Sequence, residues 1–261
     1  MPTTTSIPEP LVSRWRVAVT RDEAAGGALS RALVAASFTP VACPVLVEMP
    51  PADGAALADA AAALATYDWI VCASVRSVTA LAAARRAPWP AGVRTAAVGP
   101  RTAAALVAAG ATPLPLTGDT DGADSLWTRL RGADQWPGRL VLLPTTPGGR
   151  RTLSDSLTAA GAFVHELEAY QMTPRPARLI AEAWHTAAPD AVVVASARVA
   201  VALVEAVGAG QLCGLAAVVA IGHTTAAALA AAAVPCAVAA RADFADVVAA
   251  LAAERARAVA P

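Results

Sequence analysis

The hydrophobic pattern alternates along the whole chain between two kinds of segment. Short runs rich in valine, isoleucine and leucine predict β-strands, and the alanine-rich segments between them have the length expected of helices. Strands such as Trp69–Cys72 and Ala191–Val194 are apolar at every position, which is typical of strands covered on both faces. A strand followed by a helix, repeated about ten times, predicts parallel sheets with helices on both faces.

The same alternation gives approximate bounds for each element. The predicted strands lie near residues 15–20, 41–48, 68–73, 93–98, 112–116, 139–143, 163–170, 190–195, 216–221 and 235–239. The predicted helices occupy residues 24–36, 53–65, 76–86, 101–109, 123–131, 149–160, 177–187, 198–207, 224–232 and 243–256. A leader of about 13 residues is predicted to be frayed.

A long internal repeat underlies this alternation. The segment that begins at Asp68 resembles the one that begins at Asp190, 122 residues later. Both copies contain a Ser-x-Arg element, at Ser74 and at Ser196, with the same displacement. Alanine-rich helices match one another by chance, so the comparison depends on the aspartate, serine and arginine.

Two further matches extend the repeat over the whole chain. Gly99-Pro100-Arg101-Thr102 matches Gly222-His223-Thr224-Thr225 at a displacement of 123, and Arg16 corresponds more weakly to Arg139. The chain therefore divides into four quarters, A, B, A′ and B′, which begin with the strands near residues 15, 68, 139 and 190. This order predicts two homologous α/β domains.

Composition narrows the function classes. The 261 residues are enough for two domains, and 56% hydrophobic with 15% charged residues excludes a disordered chain. Twenty basic and twenty acidic residues give a net charge of zero, which argues against a general nucleic-acid binder. Because the chain contains no lysine, a Schiff-base mechanism and a lysine phosphate loop are both excluded.

The cysteines and histidines do not form a metal-binding pattern. Cys43, Cys72, Cys213 and Cys236 are widely spaced, without a C-x-x-C pair or a histidine at ligand spacing. We therefore expect no zinc site, and interpret all four as buried small side chains in a reducing compartment. With neither a signal-peptide pattern nor a membrane-length apolar run, the sequence predicts a soluble, cytoplasmic protein.

Polar and small residues collect where the predicted strands end. In open parallel sheets, ligands bind at these ends, beside the N–H groups at the start of the next helix. A helix cap worth about 1 kcal/mol explains any one such turn, but the set predicts a donor-lined cleft for a ligand with many carboxylates or phosphates. The turns are Thr20-Arg21, Ser74-Val75-Arg76, Gly99-Pro100-Arg101-Thr102, Pro144 to Arg151, Ser196-Ala197-Arg198 and Gly222-His223-Thr224-Thr225.

Few residues in the sequence are placed for acid–base chemistry. No G-x-S-x-G elbow or catalytic triad is visible, and His223 at a helix start is interpreted as an exposed polar residue rather than an acid or ligand. Tyr170, one of two tyrosines, ends the strand predicted at 163–170. Its phenol could donate a proton into the cleft, or it could be a buried hydroxyl bonded to the backbone.

Seven short motifs follow one another at the strand ends with a definite order and spacing. They are Val19-Thr20-Arg21, Val71-Cys72-Ala73-Ser74, Val98-Gly99-Pro100-Arg101-Thr102, Leu142-Leu143-Pro144 with Arg150 and Leu153, Glu168-Ala169-Tyr170-Gln171-Met172-Thr173, Val194-Ala195-Ser196, and Ile221-Gly222-His223-Thr224-Thr225. Together they resemble the uroporphyrinogen-III synthase family over nearly the whole chain.

The resemblance implies an architecture. It consists of two doubly wound, flavodoxin-like parallel-sheet domains joined by two strands, near 41–48 and 165–172, with the middle domain inserted in the first. Domain 1 would comprise 1–47 and 172–261 and domain 2 would comprise 48–171, with the cleft between them. A monomer is implied.

The resemblance also implies a reaction. Members of the family are lyases of tetrapyrrole (haem) biosynthesis that cyclise hydroxymethylbilane to uroporphyrinogen III, inverting the last pyrrole ring and losing water, with no cofactor. The substrate carries eight carboxylates, and uncatalysed cyclisation gives the uninverted isomer. The enzyme's task would then be positioning and electrostatic stabilisation.

Site residues are implied by the matching positions. Tyr170 matches the tyrosine that assists departure of the hydroxyl group. The implied substrate-binding residues are Thr20, Arg21, Ser74, Gly99, Thr102, Arg150, Ser196, Gly222 and Thr225. The sequence departs from the family pattern at Ala73, Thr146, Ala195 and His223.

Two alternatives remain open on the sequence. A non-catalytic sensor or binding module could use the same fold to hold a polycarboxylate. A two-domain transferase acting on a nucleotide sugar would ordinarily be longer and show a diphosphate-binding grip that this sequence lacks.

Overall fold

The structure is a computed structural model that describes residues 14–23, 26–114, 123–148 and 151–259. The chain separates into two compact units. Unit 1 contains Met1–Val47 and Thr173–Pro261, and unit 2 contains Glu48–Met172.

The described elements follow the predicted alternation of strands and helices. In chain order they are β1 (Arg16–Val19), α1 (Ala28–Ala35), β2 (Thr39–Ala42), β3 (Leu46–Met49), α2 (Gly54–Ala62), β4 (Trp69–Cys72), α3 (Val75–Ala84), β5 (Arg94–Ala97), α4 (Pro100–Ala108), α5 (Ala123–Leu130), β6 (Leu140–Thr145), α6 (Thr152–Ala159), β7 (Phe163–Glu168), β8 (Gln171–Pro174), α7 (Ala177–Ala187), β9 (Ala191–Val194), α8 (Ala197–Val207), α9 (Ala209–Cys213), β10 (Ala217–Ala220), α10 (His223–Ala231), β11 (Ala237–Val238) and α11 (Phe244–Val259).

Unit 1 is built on a five-stranded parallel sheet in the order β11-β10-β9-β1-β2. Alternate side chains of its strands enter two separate apolar clusters. Ala18 and Val192 pack with α7 and α8, whereas Val17 and Val193 pack with α1 and α11. Helices therefore cover both faces, which accounts for the continuous hydrophobicity of these strands.

Unit 2 repeats the arrangement with a four-stranded parallel sheet in the order β5-β4-β6-β7. A parallel bridge between Thr95 and Pro113 lies beyond β5, in the place of the predicted strand at 112–116. The strands of quarter B thus pair with those of A′, as those of A pair with those of B′ in unit 1. The predicted fold class, two doubly wound parallel-sheet domains, is confirmed.

Strands β3 and β8 form a two-stranded sheet of their own. They contain the residues at which the chain passes from one unit to the other, after Val47 and again after Met172.

The repeated aspartate has the same structural role in each unit. The Asp190 carboxylate accepts the backbone N–H of Arg16 at 2.7 Å, and the Asp68 carboxylate accepts that of Leu140 at 2.8 Å. Each carboxylate thereby bonds to the first residue of the neighbouring strand. The residue of unit 2 that is equivalent to Arg16 is consequently Leu140, so the weaker sequence match to Arg139 was wrong by one residue.

Several predicted bounds differ from the structure. The strand predicted at 41–48 is two strands, β2 and β3, separated by residues 43–45, where Pro44 has no N–H to give to a sheet. Strand β7 ends at Glu168, two residues before the predicted end, and α9 was not predicted. The predicted leader and the beginning of the helix predicted at 149–160 lie outside the described residues.

The cysteine prediction was half right. Cys43 and Cys72 are buried, and burial raises the pKa of these thiols to about 11 and about 12, respectively. Cys213, the last residue of α9, is exposed, and Cys236, which precedes β11, is half-buried. Within the described ranges, no group of three or more histidine, cysteine or acidic residues could hold a metal ion. In the same ranges, no helix is both long enough and apolar enough to cross a membrane.

Candidate active site

In unit 2, the structure brings Ser74 and Tyr170 together. Ser74 caps α3 by accepting the backbone N–H of Ser77 at 3.1 Å, as the capping interpretation predicted. Its hydroxyl oxygen also lies 3.3 Å from the phenol oxygen of Tyr170. Tyr170 follows the carboxyl end of β7 and is only 8% exposed, so its apolar ring is buried while its hydroxyl reaches the turn after β4.

A second serine, which the sequence analysis missed, completes this group. The Ser74 hydroxyl donates to the Ser77 hydroxyl at 3.2 Å, and the Ser77 hydroxyl donates to the Ser74 carbonyl at 2.8 Å. Ser77 is fully buried, and its side chain also lies within hydrogen-bonding reach of the Cys72 thiol. The only sequence signal was a polar residue at a position of α3 that faces the sheet.

The turn after β5 lies beside this group. The register of β4 and β5 pairs Cys72 with Ala97. Ser74 lies two residues after Cys72 and Gly99 two residues after Ala97, so the two turns are neighbours at the sheet edge. Gly99 has φ 79° and ψ 162°, a conformation that is essentially restricted to glycine, and it begins α4. Thr102 in the first turn of α4 is 4% exposed.

A cavity of about 340 Å³ lies at the carboxyl ends of β6 and β7. The buried Thr146 hydroxyl oxygen has no hydrogen-bond partner, and Glu168 accepts the backbone N–H of Ala52 at 2.7 Å. Because the lining contains the carboxylates of Glu166 and Glu168 but only one guanidinium, that of Arg151, this cavity is a poor site for an anion. Its lining residues are Leu143, Thr145, Thr146, Pro147, Gly148, Arg151, Glu166 and Glu168. The predicted site residue Arg150 lies outside the described residues.

Unit 1 places its predicted residues at equivalent strand ends. Ser196 caps α8 by accepting the Val199 N–H at 3.2 Å, and Gly222 begins α10. The register pairs Val194 with Ala220, so Ser196 and Gly222 are neighbours as Ser74 and Gly99 are in unit 2. His223 is exposed, as predicted.

The two predicted threonines of unit 1 are nearly inaccessible. Thr20 is 1% exposed, and its hydroxyl donates to the Val193 carbonyl at 2.7 Å, which ties the end of β1 to β9. Thr225 is 3% exposed in the first turn of α10. In the structure, the Thr20 hydroxyl therefore supports its turn, and the Thr225 side chain is buried.

The N-terminus of α1 is occupied by a side chain of the protein itself. The Glu23 carboxylate accepts the N–H groups of Leu29 and Ser30, each at 3.0 Å. Burial acts to raise its pKa, but these bonds, the Ser30 hydroxyl and the positive charge of Arg21 outweigh burial and hold the pKa below its ordinary value. Gly27 leaves room for this side chain, because a Cβ there would lie 2.1 Å from Cγ of Glu23 and force it to shift. The α1 terminus therefore already holds an anion.

Arg21 lies next to this anion. Its guanidinium is 5.0 Å from the centre of the Phe244 ring and 3.9 Å from the Glu23 carboxylate. Its buried Nε has no hydrogen-bond partner. One donor of this arginine is thus unsatisfied in the structure.

The described residues therefore form two similar rows of helix starts, one in each unit. Each row contains a capping serine, a glycine turn and a buried threonine, and only unit 2 adds a phenol. This arrangement can donate hydrogen bonds to anions through backbone N–H groups, and in unit 2 it can supply a proton.

Known structures share this fold. A selenomethionine derivative of a mutant uroporphyrinogen III synthase from Thermus thermophilus is 22% identical, with a TM-score of 0.56 over 93% of this chain and 99% of that one. The Helicobacter pylori uroporphyrinogen-III synthetase is 13% identical, with a TM-score of 0.59 over 92% of this chain and 98% of that one. No curated protein sequence matches the chain.

The family assignment comes from the sequence itself. The family model described as uroporphyrinogen-III synthase HemD matches residues 27–249, which include both rows of helix starts except for Thr20 and Arg21. Because the match covers most of both units, the chain belongs to the uroporphyrinogen-III synthase family.

Proposed function

We propose that the chain is a cyclising lyase that converts hydroxymethylbilane to uroporphyrinogen III, inverting the last pyrrole ring and releasing water. The main support is the Tyr170 phenol, which lies 3.3 Å from Ser74 at the carboxyl edge of the unit 2 sheet. A phenol beside a row of helix N-termini can protonate a departing hydroxyl group while N–H donors hold nearby carboxylates.

The remaining donors are proposed to position the substrate. Eight carboxylates need many hydrogen-bond donors, and the turns at Ser74, Gly99, Ser196 and Gly222 present helix N-termini. Arg21, whose side chain is 38% exposed, would add a charge-assisted bond through its guanidinium. Arg150, Thr20, Thr102 and Thr225 are proposed as substrate-binding residues only on the family's pattern.

The proposed activity is tested by the isomer of the product. The purified protein is coupled to a source of hydroxymethylbilane, and the uroporphyrinogen isomers are separated after oxidation. We expect type III to exceed type I, since spontaneous closure without the enzyme yields type I. An unchanged isomer ratio at high protein concentration would rule out the proposed activity.

A substitution at Gly222 tests the substrate-binding part of the proposal. The residue is extended, with φ 179°, and a Cβ there would meet no atom within 4 Å, so Gly222→Ala fits the fold. If a substrate carboxylate approaches this helix start, the methyl group blocks it and weakens a charge-assisted bond. We expect KM to rise about tenfold with kcat nearly unchanged.

Gly210→Ala is the matched control for this change. Gly210 lies in α9, and a Cβ there also meets nothing within 4 Å. Wild-type KM is expected for this control, and thermal unfolding of both variants should match the wild type. A wild-type KM for Gly222→Ala would remove this turn from the binding site.

A further inference from the structure

The hydroxyl groups around Tyr170 form a single-file hydrogen-bonded chain. From the phenol, the chain passes to the Ser74 hydroxyl at 3.3 Å, then to the Ser77 hydroxyl at 3.2 Å, and ends at the Ser74 carbonyl at 2.8 Å. The backbone N–H of Ser77 donates back to the Ser74 oxygen at 3.1 Å. Two bonds between Ser74 and Ser77, one donated by each residue, therefore fix the position of the hydroxyl that contacts Tyr170.

The internal repeat shows that the fold can form without this chain of hydroxyl groups. In unit 1, the residue whose N–H is accepted by the capping serine is Val199 rather than serine, and it is 3% exposed. Both tyrosines of the sequence, Tyr67 and Tyr170, belong to unit 2, so the turns of unit 1 have no phenol beside them. In unit 1, the equivalent serine cap on α8 is thus built over a buried valine. The cap itself therefore does not require a hydroxyl at this position, and Ser77 departs from the repeat.

We propose that Ser77 is a positioning residue for proton transfer by Tyr170; this inference rests on the proposed function. When the bond from the hydroxymethyl carbon to its oxygen breaks, the electron pair leaves with the oxygen. That oxygen takes the Tyr170 proton and departs as water, which leaves a carbocation conjugated with the pyrrole and a phenolate at Tyr170. The Ser74 hydroxyl then turns from Ser77 to the phenolate, and the proton lost after ring closure returns to Tyr170.

The hydroxyl chain also implies different tasks for the two units. Proton transfer belongs to unit 2, where the hydroxyl chain begins at a phenol, whereas unit 1 contains no tyrosine and has Val199 at the position of Ser77. The hydroxymethyl end of the substrate therefore binds against unit 2, and the unit 1 turns hold carboxylates.

The test compares Ser77→Ala in the wild type and in Tyr170→Phe. In the wild-type background we expect kcat for type III formation to fall about fivefold with KM unchanged, the effect of one neutral hydrogen bond. In the Tyr170→Phe background the same change should have no further effect, because Ser77 acts through the phenol. Ser77→Thr, which keeps the hydroxyl, should recover part of the rate.

Control variants separate this role from packing. Ser77→Val copies the residue that unit 1 buries at this position, and it should reproduce the loss in kcat if Ser77→Ala fails to fold. Thr95→Val removes another buried hydroxyl of the same sheet, one that has no hydrogen-bond partner, and should keep wild-type kcat. Wild-type kcat in Ser77→Ala, or an equal loss in the Tyr170→Phe background, overturns the role of Ser77. A wild-type protein that gives no excess of type III instead overturns the proposed function, and this inference with it.

Discussion

Tyr170→Phe is expected to lower kcat for type III formation by more than tenfold without changing the fold. The ring remains to fill its site in the unit 2 core, while the proton for the departing hydroxyl is lost. The lost bond to Ser74 is long, at 3.3 Å, so its contribution to stability is small. The measurement is single-turnover formation of type III at saturating substrate, together with thermal unfolding.

Tyr67→Phe provides a matched control. The two tyrosines are equally buried, at 8% exposure, and belong to the same apolar cluster of unit 2. The Tyr67 hydroxyl bonds to Nδ1 of His165 at 2.6 Å, and burial raises its pKa. We expect this control to keep wild-type kcat. Full activity in Tyr170→Phe would exclude Tyr170 as the acid. Equal losses of kcat in Tyr170→Phe and Tyr67→Phe would indicate a packing effect.

Asp134→Ala is expected to cause the largest loss of stability. The Asp134 carboxylate, only 8% exposed, accepts from Nε1 of Trp69 at 2.9 Å and pairs with Arg94 at 2.9 Å and Arg139 at 3.1 Å. Without this carboxylate the buried Trp69 N–H has no acceptor and both arginines lose an ion-pair partner, although Arg139 keeps Asp68, so the expected cost is about 1–3 kcal/mol. The melting temperature of unit 2 should fall by on the order of 10 °C.

The same network predicts a dependence of stability on pH. Burial acts to raise the pKa of Asp134, but hydrogen bonds from Trp69, Gln135 and Arg139 and the charge of Arg94 outweigh it and lower the pKa. A pKa lower in the folded than in the unfolded state gives stabilisation that is present above the unfolded value, near 4, and is lost as pH falls through the folded value. Asp134→Asn should therefore flatten the acid limb of a melting-temperature profile.

Asp246→Ala is the comparison for this prediction. Asp246 also pairs with an arginine, Arg241, at 2.9 Å, but that pair lies on the surface, where solvent screens it. We expect no measurable change in melting temperature for this variant. An Asp134→Ala protein as stable as Asp246→Ala would show that the buried network does not support unit 2.

Local chemistry made part of the site predictable. Ser74 and Ser196 were expected to cap helices because a serine hydroxyl before an apolar helical segment satisfies a free N–H, and both do so. Helix and strand positions followed from periodicities of a few residues. Pro44 is the local signal that 41–48 contains a break.

The remaining features of the site depend on contacts between residues that are separated in the sequence. Glu23 reaches the start of α1 across Gly27, Asp190 bonds to Arg16 from 174 residues away, and Ser74 contacts Tyr170. No sequence window contains both partners of the last two contacts. The carboxylate that already caps α1 was likewise not predicted from the sequence.

The sequence by itself determined the alternation of strands and helices, the duplication and the turns that hold donors, because each depends on periodicity, capping or repeated residues. The tertiary structure decided that A pairs with B′ and B with A′, and that one phenol lies against Ser74. The physical reason is that parallel strands pair only across long crossovers, so the choice of neighbour rests on packing between segments far apart in the chain.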